Sequence, residues 1–167
     1  MTVREIKLQK DPVLHKKAER VTQFDNNLSD LVIDLRDTLH AYSIAVGLAA
    51  PQIGVSKQVA VINLGDDRKE DLIIINPRII NTSGPKDKKF ESCMSVPHVR
   101  GSVEMRKKLK LEYHDLTGKK VVNEYRGFMA RVIRHEVDHL QGCLYVDRMA
   151  EGAELESVDF FREEGYD

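Results

Sequence analysis

The sequence predicts an α+β fold in which antiparallel β-sheets pack around one central helix. A strongly amphipathic segment occurs late in the chain, between about Phe128 and Leu140, and has helical periodicity. The segments before it either alternate in polarity or run apolar for a few residues, as strands do. Turn-forming residues separate these segments, so neighbouring strands can return antiparallel. Because no internal repeat or linker divides the sequence, we predict a single domain spanning residues 1–167.

The composition limits the class of protein. A chain of 167 residues suits one domain with a sizeable core. The net charge of −1 gives no electrostatic support for binding nucleic acid or an acidic membrane. The N-terminus lacks the apolar region of a signal peptide, and no apolar run reaches the length of a membrane span. Two cysteines, Cys93 and Cys143, are too few for a disulfide framework, so we expect a reduced, cytoplasmic protein with no membrane partner.

Local patterns predict the elements that precede the central helix. Asp11-Pro12 favours a short helical turn to about Glu19, and an apolar stripe predicts a longer helix from Asn26 to Tyr42. Residues 44–54 contain small residues and Pro51, which favour a buried loop or a short extended piece. Strands are predicted at residues 59–64, 72–80, 109–113 and 121–125, with loops or turns at 66–71, 81–89 and 115–118.

The central helix is predicted to bury one face and expose the other. Its apolar face contains both histidines, in the set Phe128, Val132, His135 and His139, widened by Met129, Ile133 and Leu140. Its polar stripe consists of Arg131, Arg134, Asp138 and Gln141. Gly142 is predicted to end the helix, and residues 143–146 to form a last short strand. The pattern assigns no structure to the acidic tail from Glu151.

The spacing of polar residues on this helix indicates a metal site. His135 and His139 are one turn apart, so both rings can bind one ion. Glu136 is rotated by about a quarter turn, which suits a general base beside a metal-bound water. The alternative is a pair of core histidines with ordinary hydrogen bonds, but two histidines flanking a glutamate favour metal binding.

A catalytic metal needs a third protein ligand. A metzincin peptidase would have a histidine where this chain has Tyr145, and a thermolysin-like site would need a downstream glutamate. The candidate carboxylates lie in a short tail, at Glu151, Glu154 and Glu156. Upstream, Cys93 offers a thiolate, which suits a borderline-soft metal ion. Its alternative role is a small buried hydrophobe.

Three segments in order carry a resemblance to a known family: Ala45 to Gln52 (AVGLAAPQ), Glu91 to Ser95 (ESCMS) and Arg134 to His139 (RHEVDH). They resemble the Gly-x-Gly-x-Ala-Ala-Pro-Gln, Glu-Gly-Cys-x-Ser and Gln-His-Glu motifs of the peptide deformylases. The flanking residues are similar too, and the resemblance covers nearly the whole chain. Any one motif alone would be a weak to moderate signal, whereas the three together are highly specific.

The resemblance implies one peptide-deformylase-like catalytic domain over residues 1–167. Its activity would be removal of the N-formyl group from the N-terminal methionine of newly synthesised peptides, with release of formate. The partners implied are N-formylmethionyl nascent peptides near the ribosome exit, with no nucleic acid specificity. The ion implied is Fe²⁺, with Zn²⁺, Ni²⁺ or Co²⁺ as substitutes.

The resemblance also implies roles for individual residues. Cys93, His135 and His139 would be the metal ligands, and Glu136 the general base and then acid. The side-chain amide of Gln52 and the backbone N–H of Met94 would hold the oxyanion, and the Gly47 region would line the substrate strand site. Val46 and Val132 are candidates for the apolar pocket that takes the methionine side chain, with plain core packing as an equal alternative.

The sequence departs from the family pattern at several positions. Ala45 and Ser92 replace glycines, and would strain their loops if those glycines had positive φ. Arg134 replaces a glutamine and is spaced for an ion pair with Asp138. The family often has a Val-x-Arg sequence after the cysteine loop, whereas here the arginine is displaced by one position, to Arg106. We expect activity, with an altered rate or substrate preference as the alternative.

Two other functions remain as alternatives. One is an HExxH metallopeptidase, against which Tyr145 counts. The other is a non-catalytic metal-binding module, in which Cys143 would close the site as a fourth ligand; a packed thiol after the helix is the favoured interpretation of Cys143. The remaining histidines, His15, His40, His98 and His114, are predicted at the surface, with His98 close enough to the cysteine loop to line the site mouth.

Overall fold

The computed structural model describes residues 2–65 and 70–158, so the segment 66–69 of the predicted loop at 66–71 and the end of the acidic tail lie outside the described residues. Two α-helices occur in the described part, α1 (Asn26–His40) and α2 (Gly127–Leu140). The strands are β1 (Gly47–Ala49), β2 (Val59–Ile62), β3 (Leu72–Cys93), β4 (Val96–His114), β5 (Lys120–Arg126) and β6 (Glu156–Ser157). Short 3-10 helices span Pro12–His15, Ala50–Ile53 and Tyr145–Arg148.

The strands form an antiparallel sheet that runs β1-β2-β3-β4-β5, and β6 pairs with β4. Helix α2 packs against β1, β2, β4 and β5, while α1 packs against β1 and β2. This arrangement confirms the predicted α+β fold with a central helix. No helix in the described ranges combines the length and apolar character that a membrane crossing requires.

Strand β2 lies between the two helices and is buried on both faces. Val59 and Val61 pack with the core beneath α1, whereas Ala60 and Ile62 pack with the core around α2. The two sets alternate because successive side chains of a strand point to opposite faces. The alternation continues in β1, where Leu48 joins the α1 core and Ala49 joins the α2 core. The residues of β1 on the α2 side therefore face the helix that carries both histidines.

The long β3–β4 hairpin is the main difference from the predicted elements. The predicted loop at residues 81–89 is wrong, since β3 continues through it to Cys93, and residues 96–108 were not predicted as a strand. Gly84, Pro85 and the lysines resemble a loop in composition, but the pairing register shifts at this point, between Ser83 and Lys86. A bulge tolerates proline and bends a strand, so the hairpin accommodates residues typical of turns.

The smaller predicted elements vary in accuracy. The helix predicted from Asn26 ends at His40, two residues earlier than expected. The turn after Asp11 is a 3-10 helix that ends at His15. The strand predicted at residues 143–146 is wrong, because the chain forms the 3-10 helix Tyr145–Arg148 there. The Asp147 carboxylate accepts a hydrogen bond from the Leu144 N–H at 2.9 Å, which stabilises that turn.

The predicted faces of α2 are partly wrong. Phe128 was assigned to the buried face but is 59% exposed. Arg131 and Asp138 were assigned to the polar stripe but are buried. Asp138 accepts two hydrogen bonds from Arg148, at 2.8 and 2.9 Å, in addition to a looser ion pair with Arg134 at 3.8 Å. Because strands and loops surround much of the helix, charged residues on its far side are also buried, and ion pairing compensates their burial.

Asn76 provides a test of the fold. It lies in β3 with φ of 51° and is buried. Its side chain accepts a hydrogen bond from the Val21 N–H and donates one to the Val21 carbonyl, both at 2.8 Å. We predict that Asn76→Ala lowers the free energy of unfolding in urea by about 2–4 kcal/mol, because two buried backbone groups lose their partners. Asn81→Ala, at an exposed position of the same strand, is the control and should change the free energy of unfolding by less than about 0.5 kcal/mol. Equal effects of the two substitutions would show that the hydrogen bonds between Asn76 and Val21 do not stabilise the fold.

Candidate active site

A cleft of about 520 Å³ opens between residues 44–47, the end of the β3–β4 hairpin and helix α2. Its walls contain candidates from each of the three sequence motifs: Gly47, Gln52, Cys93, Met94, His135 and Glu136. Segments distant in sequence meet here because β1 and the hairpin end both pack beside α2. Most of the lining is apolar, as in pockets that bind small molecules or peptide side chains.

The three predicted metal ligands converge. The sulfur of Cys93 and one ring nitrogen each of His135 and His139 lie within 4.8 Å of one another. Cys93 is the last residue of β3, and its Sγ is 3.4 Å from Nε2 of His139. The helix supplies the two rings from successive turns, while the hairpin end brings the thiol to them. One sulfur and two imidazole nitrogens form a donor set that suits zinc, iron and related ions.

The charges of the site favour the ligand form of Cys93. Burial disfavours ionisation of the thiol, but the neighbouring His139 and His135 outweigh it and hold the pKa of Cys93 well below its ordinary value. Burial also opposes protonation of His135, yet its hydrogen bonds with Cys93 and Glu91 raise the pKa of that ring. The thiolate is the species that binds metal, so the lowered pKa favours the form in which Cys93 can act as a ligand.

Glu136 lies beside this group with one oxygen unpaired. The residue is 3% exposed, and its Oε2 is buried with no hydrogen-bond partner among the described residues. Burial raises the pKa of Glu136, against the lowering effect of His135 and His139. A Cβ on Gly47 would lie 2.6 Å from Oε1 of Glu136, so only glycine leaves room for the carboxylate there. An unpaired carboxylate in a cleft is suited to proton transfer.

The side chain of Gln52 is held in a defined orientation. Its Oε1 accepts a hydrogen bond from the Ala49 N–H at 3.0 Å, which directs its amide nitrogen toward the cysteine. That nitrogen donates to the Ser95 hydroxyl at 3.2 Å and contacts Cys93 Sγ at 3.5 Å. Ser95 is fully buried, and its role in orienting Gln52 was not predicted, although the residue belongs to the second motif.

A second group of residues that the sequence analysis did not assign supports His135. Nδ1 of His135 is 3.2 Å from Oε1 of Glu91, which leaves the other ring nitrogen for a metal. Arg131 donates to Oε2 of Glu91 at 2.7 Å. The ring of Tyr145 stacks on His135 with a centroid distance of 6.1 Å. Glu91 precedes the cysteine by two residues and Arg131 lies one turn before His135, a spacing that could have indicated this network.

The other candidates have the following positions. Val46, Val132 and His98 line the cleft, whereas His15 and His40 are exposed away from it. His114 is half-buried, and its Nδ1 lacks a partner within the described residues, so the surface prediction is wrong for it. Cys143 lies outside the ligand group found among the described residues, and burial raises the pKa of its thiol.

The replaced glycines do not strain the loops. Within residues 2–65 and 70–158, the non-glycine residues with positive φ are Asn76 and His98, so neither Ala45 nor Ser92 occupies the left-handed region. Arg134 lies near Asp138, as its spacing predicted. The departures from the motifs therefore leave the backbone of the cleft in ordinary conformations.

A helix that presents two histidines and a glutamate beside a cysteine sulfur, at the wall of a cleft, is an arrangement typical of a metal-dependent hydrolase. The profile of the polypeptide deformylase family matches residues 3–154. A peptide deformylase of Desulforudis audaxviator is 43% identical over 148 residues, which cover 89% of this chain and 94% of that protein. One from Natranaerobius thermophilus is 38% identical over 151 residues, covering 90% of this chain and 95% of its own length.

Comparison with solved structures also finds peptide deformylases. The crystal structure of peptide deformylase from Thermotoga maritima aligns with a TM-score of 0.84 and 36% identity, covering 90% of this chain and 99% of that one. The chain belongs to the polypeptide deformylase family and is an enzyme of that family. The family resemblance inferred from the three motifs is thus confirmed.

The contact between Gly47 and Glu136 generates a prediction. Gly47→Ala adds a methyl group 2.6 Å from Oε1 of Glu136, so the buried carboxylate must move. We expect formate release from a formyl-Met peptide to fall about a hundredfold in kcat/KM, since small displacements of catalytic groups have effects of that size. Ala45→Gly, two residues away, is the control and should stay within about threefold of the parent. Unchanged activity in Gly47→Ala would show that the close contact does not position Glu136.

Proposed function

We propose that this cleft removes the N-formyl group from the N-terminal methionine of newly synthesised peptides and releases formate. The observation that carries the proposal is the unpaired, buried carboxylate oxygen of Glu136 beside three convergent metal-ligand atoms. In this proposal Cys93, His135 and His139 bind the metal and Glu136 transfers the proton. The whole chain acts as one catalytic domain.

The donor set fits a divalent cation. The Cys93 thiol has a depressed pKa, which favours the thiolate that metals bind, and Nδ1 of His135 is engaged by Glu91, which leaves its other ring nitrogen for the ion. A bound ion of this kind lowers the pKa of water to about 7 and so supplies a nucleophile at neutral pH. Three protein ligands leave a coordination position for that chemistry, whereas a structural site would need a fourth.

Glu136 performs the proton transfers. Its Oε2 is buried and hydrogen-bonded to no described residue, so it can accept a proton from the attacking water. Burial raises its pKa toward neutrality, and a carboxyl group of that kind can also donate the proton onward. The amine of the methionine is the leaving group, and the same oxygen of Glu136 can protonate it as the C–N bond breaks.

Gln52 and Met94 stabilise the charge that develops on the formyl oxygen. The amide nitrogen of Gln52 is directed into the site by the hydrogen bond between its carbonyl oxygen and Ala49. Met94 follows Cys93 in the turn of the β3–β4 hairpin and lines the cleft, so its backbone N–H is near the ligand. Preorganised donors of this type act in the transition state without reorganisation.

The rest of the cleft binds the peptide. The edge strand β1 begins at Gly47, and its lack of a side chain lets a substrate backbone approach closely. Val46 and Val132 contribute to an apolar wall suited to the methionine side chain. We propose Fe²⁺ as the ion, with Zn²⁺, Ni²⁺ or Co²⁺ as substitutes, and action on nascent chains near the ribosome exit in the cytoplasm, without nucleic acid specificity.

Glu136→Gln tests the general base. The change keeps the size of the side chain but removes its ability to take a proton, so we expect formate release to fall by about 10²–10⁴-fold. Bound metal, measured by elemental analysis, should remain at one ion per chain. Glu104→Gln, an exposed position on β4, is the control and should retain full activity. A Glu136→Gln variant that keeps both metal and rate would exclude the proposed base.

Gln52→Leu tests the oxyanion donor. Because the hydrogen bond strengthens in the transition state, kcat should fall by about a hundredfold or more, whereas KM should change by less than about threefold. Steady-state kinetics on a formyl-Met tripeptide measures both. An increase in KM with kcat unchanged would assign Gln52 to substrate binding instead.

A further inference from the structure

The guanidinium of Arg131 is held by four hydrogen bonds inside the protein. One nitrogen donates to the Glu91 carboxylate at 2.7 Å and to the Val103 carbonyl at 3.1 Å. The other donates to the carboxylate of Asp87 at 3.1 Å and to its carbonyl at 3.3 Å. These acceptors lie on both strands of the hairpin, so Arg131 joins helix α2 to β3 and β4 at the cleft.

Glu91 transmits this contact to a metal ligand. One of its oxygens accepts from Arg131, and the other is 3.2 Å from Nδ1 of His135. All three side chains are largely buried, with 8%, 10% and 13% of the side chains of Arg131, Glu91 and His135 exposed. Arg131 and His135 are one helical turn apart, so a single carboxylate from the hairpin bridges both.

The arginines of the hairpin are engaged elsewhere: Arg78 pairs with Glu112, and Arg100 pairs with Glu156. Arg106 points outward and donates to the Gly84 carbonyl at 2.9 Å. The inward position next to it is Met105, which is buried and directly opposite Asp87 in the β3–β4 register. It is also the position at which a Val-x-Arg sequence would have its arginine, counted from Val103. An arginine there would lie near the same acceptors that Arg131 now contacts.

We propose that Arg131 is a positioning residue for the metal site: through Glu91 it fixes the ring of His135, and it supplies from helix α2 the cation that an arginine at position 105 could supply from β4. The proposal rests on the proposed role of His135 as a ligand. In this role Arg131 acts through Glu91 and is not itself a ligand of the metal.

Burial makes the effect of Arg131 on Glu91 strong. Without the guanidinium, the Glu91 carboxylate is left buried beside Asp87 with no cation to balance it, so it turns outward. The His135 ring then loses its hydrogen-bond partner on the hairpin. Such partners of ligand histidines change metal affinity by about 10–100-fold in known sites. Lysine cannot replace arginine fully, because one ammonium cannot meet acceptors on both strands in the same geometry.

The test measures metal release, which does not depend on turnover. The parent, Arg131→Met, Arg131→Lys and the control Arg106→Met are loaded with Co²⁺, and the rate of its transfer to a colorimetric chelator is followed. The measurement is made at a temperature well below the Tm of every variant. We expect Arg131→Met to release Co²⁺ at least tenfold faster, Arg131→Lys to be intermediate, and Arg106→Met to stay within twofold of the parent.

A double variant, Met105→Arg with Arg131→Met, tests the equivalence of the two positions. It should release Co²⁺ at least threefold more slowly than Arg131→Met alone. A double variant that releases Co²⁺ as fast as Arg131→Met would overturn the claim that position 105 can supply the same cation. If Arg131→Met lowers the Tm of the metal-free protein but leaves the release rate unchanged, Arg131 is only structural and the proposal is wrong.

Glu91→Gln provides the test if Arg131→Met does not fold. The amide keeps the size of the side chain and can still bind Arg131, but it removes the negative charge from His135. Release of Co²⁺ should be at least fivefold faster, and an unchanged rate would overturn the proposal. A parent protein that binds Co²⁺ but releases no formate would contradict the proposed function alone, because the comparison of release rates would still stand.

Discussion

The position of helix α2 against the bent β3–β4 hairpin is the constraint on which the rest of the structure depends. The helix supplies His135, Glu136 and His139, but the thiol of Cys93 comes from the hairpin end, and Gly47 comes from an edge strand. Strand β4 packs on the helix and the start of β3 pairs with β2, while register shifts along the hairpin are of the kind that bends strands. The hairpin thus brings the sulfur of Cys93, the third candidate ligand, to the two histidines.

Several charged side chains are buried in and around the site, and they differ in whether an oppositely charged partner balances them. Arg131 pairs with both Glu91 and Asp87, and Arg148 pairs with Asp138 near the end of the helix. Within the described residues Glu136 has no such ion pair, and the effect of its burial on the pKa is opposed by the nearby His135 and His139. A buried ion pair contributes little net stability, but it limits the orientations of the groups involved. We therefore assign the paired charges to fixing geometry, and the unpaired charge to chemistry.

The parts of the fold that the sequence predicted are those with a strong local signal. The helical period of residues 26–40 and 127–140 and the alternation at 109–113 needed no tertiary information. The strand through residues 81–89 could not be predicted, because its glycine, proline and lysines are typical of loops and only pairing with β4 satisfies its backbone. The prediction of which α2 residues are buried was partly wrong for a similar reason. Arg131 is polar, and its burial depends on acceptors from a hairpin that is distant in sequence. The candidate ligands were predictable because their spacing and order carry the signal. The role of Ser95 follows only from its contact with Gln52, whereas the spacing of Glu91 and Arg131 is a weaker signal that does not give their partners.

The residues that differ from the family motifs have different consequences, because a motif glycine can be needed for its backbone conformation, for the space it leaves, or for neither. Ala45 and Ser92 stand in for glycines at positions where the backbone has no positive φ, so a methyl or hydroxymethyl group is accommodated without strain. Gly47 is different, since its neighbour is the carboxylate of Glu136 and any Cβ would collide with it. Gly47 is therefore needed because a side chain there would occupy the space of the Glu136 carboxylate. At positions 45 and 92 the backbone does not need glycine, so other residues are accommodated. The same reasoning applies to the cation that neutralises Glu91. The requirement is a guanidinium within reach of that carboxylate and of the neighbouring carbonyl groups, and α2 meets it as well as β4 could.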